Sequence, residues 1–173
     1  MIRQLDLPTA LAARSGSFLL RDATTTDLEA LISLLSDDPI SAGRGDIASA
    51  DDRPLYATAL QRIVSDPANA LLVVVDQADT VVGTMQLTVI PGMARRGSTR
   101  LLVEAVRVLS SQRSRGVGAS MMRWVTESAA PELGAGLVQL TSDAARTDAH
   151  RFYERLGFAA SHVGFKYRVE EPL

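Results

Sequence analysis

The feature that most constrains the fold is a strand-like run followed by a short basic loop and a helix. The run Leu101–Val108 is mostly apolar, the loop Arg113–Gly118 contains two arginines and two glycines, and an amphipathic segment follows. Such a loop presents backbone N–H groups, its glycines permit close approach of a ligand, and the helix adds the positive end of its dipole. The segment therefore predicts a site for the pyrophosphate of a cofactor.

Two other phosphate-binding motifs do not fit this loop. A dinucleotide-binding fold requires a longer glycine pattern after an early strand, whereas this loop lies in the second half of the chain. A P-loop ends in Gly-Lys-Ser or Gly-Lys-Thr, and here the sequence is Gly118-Ala119-Ser120. A loop with two glycines is also typical of an ordinary turn, so its interpretation depends on the elements around it.

The composition indicates an ordinary globular protein. The chain has 173 residues, 46% of them hydrophobic, and a formal net charge of -2, which does not indicate a nucleic-acid surface. It contains no cysteine and only two histidines without an HExxH motif, so disulfides and thiol nucleophiles are excluded and a catalytic metal is not predicted. No signal peptide or membrane-spanning run is found. We therefore predict a cytoplasmic protein with no membrane or nucleic-acid partner.

Hydrophobic periodicity predicts helices and strands in a mixed arrangement. Thr26 and Glu29 form a predicted capping box before the first helix, and a second amphipathic helix precedes Asp66-Pro67. A continuous apolar run, Leu71–Val75, and a run rich in β-branched residues, Thr80–Val89, flank Asp76–Asp79, so an antiparallel hairpin is predicted there. The fold class is therefore α/β (α+β), with a mixed, mostly antiparallel central sheet flanked by helices.

The predicted order of elements is β-α-α-β-β-β-α-β-α-β. It begins with a strand at Ser17–Arg21 and ends with a strand over Phe158–Val169. We assign residues 17–173 to a single domain and residues 1–16 to an N-terminal extension. Dimerisation of the chain, through this extension or through the last strand, stays open.

Two motifs, taken together in this order, resemble the GNAT superfamily of acetyl-CoA-dependent N-acetyltransferases. The first is the strand followed by Arg113-x-x-Gly116-x-Gly118 and a helix. The second is Ala149–Phe158, Ala-His-Arg-Phe-Tyr-Glu-Arg-Leu-Gly-Phe, which is similar to the family signature Ala-x-x-Phe-Tyr-x-x-Leu-Gly-Phe. The resemblance implies an acyltransferase in which an amine attacks the acetyl thioester directly, with acetyl-CoA as co-substrate and no covalent enzyme intermediate.

The acceptor implied by the resemblance is a primary amine of a small molecule. The closing stretch Ser142–Lys166 resembles small-molecule and aminophosphonate-type members more than those that modify ribosomal proteins. Two alternatives are a protein or peptide N-acetyltransferase and a non-catalytic acyl-CoA-binding sensor that has lost turnover.

The resemblance also implies which residues hold the cofactor. The backbone of the strand pairs with the pantetheine arm, the loop amides bind the pyrophosphate, and the loop arginines add charge. A Cβ at either glycine is expected to push the phosphates away. The expected cofactor-binding residues are Val106, Arg107, Val108, Arg113, Ser114, Arg115, Gly116, Val117, Gly118, Ala119 and Arg146.

Arg146 stands where the chain departs from the family pattern. Many relatives carry an asparagine one turn before the alanine that matches Ala149, or near the end of the preceding strand. Those places hold Arg146 and Asp143 here. Arg146 either meets a cofactor phosphate or caps a solvated helix face.

Tyr153 is the predicted general acid. A phenol has an ordinary pKa near about 10, so it keeps its proton at neutral pH and can donate it to a departing thiolate. The alternative is that Tyr153 only packs on its helix face with Phe152 and Leu156. The family resemblance favours the catalytic role.

Glu104 is the predicted general base, acting directly or through a water. A carboxylate inside an apolar strand is unusual unless it faces a cleft or a partner. In the absence of a bulge, alternation places Glu104, Val106 and Val108 on one side of the strand. The alternatives are a salt bridge to Arg100 or Arg107, or a position at the rim that is exposed to solvent.

An acidic segment between the first two helices is a further candidate. In a GNAT fold this region borders the acceptor site, so we hypothesise that it attracts a cationic amine. A solvated loop is the alternative. The acidic residues are Asp37, Asp38, Asp46, Asp51 and Asp52.

Overall fold

The computed structural model describes residues 2–14, 16–43, 45–167 and 169. The strands are Thr9–Ala12 (β1), Ser17–Asp22 (β2), Asn69–Val75 (β3), Val81–Ile90 (β4), Thr99–Val108 (β5) and Ala135–Leu140 (β6). The helices are Leu28–Ser36 (α1), Pro39–Ala42 (α2), Arg53–Ser65 (α3), Ala94–Gly97 (α4), Val117–Trp124 (α5), Ala130–Glu132 (α6) and Thr147–Arg155 (α7). A π-helical turn over Val125–Ala129 joins α5 to α6.

The six strands form one sheet in the order β1-β2-β3-β4-β5-β6. Every neighbouring pair is antiparallel except β5 and β6, which are parallel. By its internal contacts the chain divides into two compact units, Met1–Leu140 with the whole sheet and Thr141–Leu173 with α7. The predicted fold class, a mixed and mostly antiparallel sheet flanked by helices, is confirmed. Among the described residues, no helix has both the length and the apolar character needed to cross a membrane.

Helices cover both faces of the sheet in the first unit. On one face, Val73 of β3 packs with buried side chains of α1 and α3, which are Leu28, Leu31, Ile32 and Leu60. On the other face, a Cβ added at Gly83 of β4 would lie 3.5 Å from Met121 Sδ of α5. Because β3 is covered on both sides, its residues from Leu72 to Val75 are all buried, as in a central strand that is apolar throughout.

The two ends of the chain differ from the predicted order. Strand β1 lies inside the stretch assigned to an extension, and it pairs with β2 through Leu11↔Phe18. The last strand is not formed in residues 158–167, where Val163 and Phe165 are exposed. Arg168, which that prediction included, lies outside the described residues. The division of the chain at residue 16 stays a prediction.

The chain enters α1 through a 3₁₀ turn, Thr25–Asp27, whose capping box is formed by Thr24 and Asp27. The predicted capping box at Thr26 and Glu29 is therefore wrong. Asp27 Oδ2 accepts a hydrogen bond from the Thr24 backbone N–H at 2.7 Å. The same buried carboxylate forms a bidentate pair with the Arg21 guanidinium, with both N···O distances 2.8 Å. Glu29 is instead exposed and pairs with Arg53.

Replacing Asp27 by asparagine is expected to lower the free energy of unfolding by about 2 kcal/mol at pH 7. The hydrogen bond from Arg21 lowers the pKa of Asp27 to about 2, compared with about 3.9 in an unfolded chain. The depressed pKa means that this stability is present above about pH 4 and is lost as the pH falls through about 2. Urea unfolding of both proteins at pH 7 and pH 3 measures the difference.

Glu29→Gln is the matched control for this prediction. It also removes one carboxylate from a pair with arginine, but the side chains of Arg53 and Glu29 are 57% and 69% exposed. An exposed pair of this kind contributes at most about 1 kcal/mol. Equal effects of the two substitutions would contradict the special role of Asp27.

Candidate active site

The parallel strands β5 and β6 pair over only half the length of β5. Their register runs from Thr99↔Ala135 to Val103↔Leu140, where β6 ends. From Glu104 to Val108, β5 pairs with β4, and no other described strand pairs with its opposite edge. The backbone N–H and C=O groups along this edge are therefore available to an extended ligand.

A β-bulge interrupts β5 directly after Glu104. Gln86 pairs with Glu104 and Thr84 pairs with Arg107, so β5 carries one more residue than β4 between these pairs. Ala105 has a φ of +50°, a left-handed conformation that is strained for a residue with a Cβ. An extra residue reverses the side on which all later side chains lie.

The predicted alternation along β5 is therefore wrong beyond Glu104. Glu104 shares a face with Arg107, through their partners Gln86 and Thr84. This is the face of Val73, which pairs with Thr84 and packs against α1 and α3. Val106 and Val108, which were expected beside Glu104, lie on the opposite face, towards α5.

Glu104 is exposed, as its alternative role at the rim requires, and it is not held by a salt bridge to Arg100 or Arg107. Arg100 donates to Gln139 Oε1 at 3.3 Å. Arg107 Nη2 donates to Ser41 Oγ of α2 at 2.7 Å, which ties the end of β5 to the segment after α1. Glu104 forms no ion pair with any residue that the structure describes, and its role as a base stays a prediction.

The loop between β5 and α5 is closed by the side chains of Asp37 and Arg113. Asp37 Oδ2 accepts from the Ser110 backbone N–H at 2.8 Å and lies 3.5 Å from Arg113 Nη2. Arg113 Nε donates to the Val108 carbonyl oxygen at 3.2 Å. Part of the charge of Arg113 is therefore neutralised by Asp37, which directly follows α1.

Left-handed residues turn the chain from this loop into α5. Ser114 has a φ of +63° and Gly116 a φ of +92°. The first N–H groups of a helix have no intrahelical partner, so those of residues 117–119 face the loop. Val117 is buried, which leaves only its backbone for a ligand; the other loop residues predicted to bind the cofactor are exposed or half-buried, namely Arg113, Ser114, Arg115, Gly116, Gly118 and Ala119.

The structure gives Gly116 a second reason to be glycine. A Cβ at Gly116 would lie 3.0 Å from the backbone nitrogen of Arg14, in the turn between β1 and β2. A side chain here would thus collide with the protein as well as adopt a strained φ. The sequence reasoning, which considered only the phosphates, missed this contact because it assigned no structure to residues 1–16.

Tyr153 lies on α7 in the second unit, half-buried among aromatic rings. Its ring centroid is 5.1 Å from that of Phe152 and 5.8 Å from that of Phe158, both in edge-to-face geometry. The N–H of Phe158 donates to the Tyr153 carbonyl oxygen at 3.1 Å, and Gly157 between them has a φ of +88°. The Tyr153 ring is thus held by packing at the end of α7, which agrees with the alternative that Tyr153 is a packing residue. A catalytic role for its hydroxyl stays a prediction.

Arg146 occupies the N-cap position of α7, beside a turn organised by Asp143. Asp143 Oδ1 accepts from the Ala145 N–H at 2.9 Å, and the Asp143 carbonyl oxygen accepts from the Arg146 N–H at 3.0 Å. The carbonyl of Asp143 is also 2.9 Å from His150 Nε2. Asp143 and Arg146 therefore have a structural role at the start of the helix, and a contact of Arg146 with a phosphate stays a prediction.

Three of the five acidic residues between the first helices already have partners. Asp37 closes the glycine loop, and the buried Asp38 accepts from the Ser41 N–H at 2.9 Å. Asp46 accepts from the Tyr56 hydroxyl at 2.7 Å, and this hydrogen bond raises the pKa of Tyr56 to about 12. Asp37 faces a positive charge, that of Arg113, whereas Asp38 and Asp46 accept these hydrogen bonds from neutral donors. Asp51 and Asp52 form no ion pair with a described residue.

Solved structures of acetyltransferases share this architecture. Glucosamine-6-phosphate N-acetyltransferase from Arabidopsis thaliana matches 88% of this chain and 99% of its own with a TM-score of 0.70; its 16% identity supports the fold alone. A protein described as a transcriptional regulator from Bacillus halodurans is 37% identical, with a TM-score of 0.80 over 88% of this chain and 99% of its own. The fold is therefore one that this chain shares with a solved N-acetyltransferase.

The sequence comparisons identify the family. The aminoalkylphosphonate N-acetyltransferase of Salmonella typhimurium is 36% identical over 63 residues, which are 36% of this chain and 40% of that protein's length. The family model for the acetyltransferase (GNAT) family matches residues 28–158, more than half of the chain. The chain belongs to the acetyltransferase (GNAT) family, which confirms the resemblance drawn from the glycine loop and the Phe152-Tyr153 motif.

Proposed function

We propose that this protein transfers the acetyl group of acetyl-CoA to a primary amine of a small molecule by direct attack. The observation that carries the proposal is the edge of β5 from Glu104 to Val108, which no described strand pairs with, together with the loop Arg113–Gly118 and the N-terminus of α5 that follow it along the chain. An extended pantetheine arm fits the first feature and a pyrophosphate fits the second. Both lie in the span that matches the family.

Different parts of this segment would bind different parts of acetyl-CoA. The backbone of Val106 and Val108 would pair with the pantetheine arm, and the N–H groups of residues 117–119 would bind the pyrophosphate. Bound there, acetyl-CoA supplies a thioester carbonyl that an amine can attack. Arg107 supports this edge indirectly, because its guanidinium links the strand to Ser41.

Glu104 would take the proton from the attacking amine, directly or through a water. It is exposed, it is not in an ion pair with a described residue, and it adjoins the strained Ala105 at the point where β5 loses its pairing with β6. The amine nitrogen bonds to the carbonyl carbon and the carbon–sulfur bond breaks. Tyr153 is assigned the donation of a proton to the departing thiolate, from its position in the family motif.

Replacing Glu104 by glutamine is expected to lower kcat by about 100-fold, because proton transfer by a positioned side chain contributes that much or more. The KM for acetyl-CoA is expected to stay within about twofold, since the backbone edge is unchanged. Initial rates of CoA release measure both. Glu154→Gln, an exposed carboxylate on α7, is the control, and an unchanged kcat in Glu104→Gln would remove Glu104 from the reaction.

The acidic pair Asp51 and Asp52 is proposed to attract a cationic acceptor. Changing both to asparagine is expected to lower kcat/KM for a cationic amine by more than about tenfold, with a smaller effect at high salt. The matched control is the double variant Glu127→Gln with Glu132→Gln, which removes two exposed carboxylates from the C-terminal half of the α5–α6 segment. Equal kcat/KM in the acidic-pair variant and the wild type would reject the hypothesis.

The small-molecule acceptor is supported by the match to the aminoalkylphosphonate N-acetyltransferase. The screen that tests it measures CoA release with a panel of amines, including aminoalkylphosphonates, polyamines, amino sugars and peptides with free N-termini. Turnover of small amines supports the proposal, and turnover of peptides alone would replace it by a peptide N-acetyltransferase.

A second candidate function is an acyl-CoA sensor without turnover. It is favoured by the 37% identity to the protein described as a transcriptional regulator. Binding of acetyl-CoA without CoA release for any amine would favour the sensor, and release above the rate of hydrolysis would exclude it. Isothermal titration with acetyl-CoA measures the cofactor binding that both candidate functions require.

A further inference from the structure

The turn between β1 and β2 packs directly on the glycine loop. The backbone N–H of Arg14 donates to the carbonyl oxygen of Arg115 at 3.1 Å. The hydroxyl of Ser120, in α5, donates to the carbonyl oxygen of Ala12. A Cβ placed on Gly116 would lie 3.2 Å from Cγ of Arg14 and 3.5 Å from its Cβ. The side chain of Arg14 therefore begins in contact with the loop.

The three arginines beside this loop differ in how their charges are used. Arg113 faces Asp37 and donates to the Val108 carbonyl. Arg115 Nη1 donates to Gln112 Oε1 at 2.5 Å. Arg14 is exposed, and its guanidinium forms no hydrogen bond or ion pair with the residues that the structure describes. Arg14 thus brings an uncompensated positive charge to the loop from a distant part of the sequence.

We propose that Arg14 binds a phosphate group of the cofactor, so that the β1–β2 hairpin completes the phosphate site. This inference rests on the proposed function, in which the loop binds acetyl-CoA. A guanidinium offers several N–H donors in a plane that matches phosphate oxygens, and its charge strengthens those hydrogen bonds. At an exposed site such a contact is expected to change affinity by about tenfold.

The test compares Arg14→Met with Arg14→Lys. Methionine keeps an unbranched apolar stem against Gly116 and the backbone bond to Arg115 but removes the charge, whereas lysine keeps the charge. Isothermal titration with acetyl-CoA is expected to give a Kd about tenfold higher for Arg14→Met and within about threefold of wild type for Arg14→Lys. Arg62→Met, which removes an exposed arginine from α3, is the matched control.

Two further probes separate charge from structure. S-acetylpantetheine carries no phosphate group, so its affinity is expected to be equal for wild type and Arg14→Met. If the loss of affinity in Arg14→Met disappears with 3′-dephospho-acetyl-CoA, Arg14 contacts the 3′-phosphate. If the loss persists, Arg14 contacts the pyrophosphate. Either result supports the inference.

Two results would overturn the assignment of Arg14. One is unchanged acetyl-CoA affinity in Arg14→Met, and the other is an equal loss for S-acetylpantetheine, which would show only a structural role. If the wild-type protein itself fails to bind acetyl-CoA, the proposed function fails first. Normal wild-type binding with an unaffected Arg14→Met leaves the proposed function intact and rejects Arg14 alone.

Discussion

Acetyl-CoA binding should fall by more than about 100-fold when Gly118 is replaced by aspartate. Gly118 is the second residue of α5 and is half-buried at the loop. A carboxylate about 4 Å from a phosphate charge costs roughly 4 kcal/mol at an effective dielectric constant of about 20, which exceeds the energy of a 100-fold loss. Isothermal titration with acetyl-CoA measures the change.

The same substitution should not harm the fold. An acidic residue in the first turn of a helix is stabilised by the helix dipole, and most residues favour a helix more than glycine does. The melting temperature is therefore expected to be equal or higher. Gly118→Asn adds the same bulk without charge and is expected to bind more tightly than Gly118→Asp. Acetyl-CoA affinity of the aspartate variant equal to wild type would disprove the loop assignment.

Replacing Tyr153 by phenylalanine should lower kcat by about 100-fold without changing acetyl-CoA affinity. Phenylalanine keeps the edge-to-face contacts with Phe152 and Phe158, so the loss of the hydroxyl is the only large change. A general acid contributes about 100-fold or more. Steady-state rates of CoA release, with a parallel titration, separate kcat from binding.

Tyr167→Phe is the matched control for this prediction, because Tyr167 lies in the same unit and is 92% exposed. It is expected to leave both kcat and the melting temperature unchanged. If Tyr153→Phe and Tyr167→Phe have the same kcat as wild type, Tyr153 serves only as a packing residue of α7.

The sequence predicted the elements whose signal is local. The periodicity of Leu28, Leu31 and Ile32 identified α1, and the polar residues Asp76–Asp79 identified the hairpin between β3 and β4. In that turn Asp76 Oδ1 accepts from the N–H groups of Ala78 and Thr80, both at 3.0 Å. Such turns are encoded by the residues within them, and so they can be predicted without the rest of the fold.

The elements that were missed depend on distant partners. β1 has only four residues, with one of them, Leu11, buried, and it is held by pairing with β2 and by the hydroxyl of Ser120. Conversely, Val163 and Phe165 alternate as a strand requires, yet residues 158–167 pair with no described strand. An alternating pattern without a partner does not specify a strand.

The sequence predicted which segments form the candidate site, but it predicted only part of their geometry. The loop Arg113–Gly118 was predicted from its glycines, and Gly116 is left-handed there, while its binding of a phosphate stays a prediction. The contact of Arg14 with Gly116 has no sequence signal, because it joins residues about a hundred positions apart. Nor does the bulge, since Ala105 is not a residue type that favours a positive φ.

The extra residue at the bulge in β5 shifts the alternation of side chains by one position. Residues on either side of Ala105 therefore face surroundings that a regular strand would not give them. Before Ala105 the strand is an ordinary member of the sheet; after it, the phase of the pleat is inverted, so that Arg107 reaches Ser41. Deleting one residue there would restore an unbroken pleat and exchange the occupants of the two faces along the last three positions. A one-residue change in the length of this segment would therefore change which side chains line the site, even if the residues on either side were unaltered.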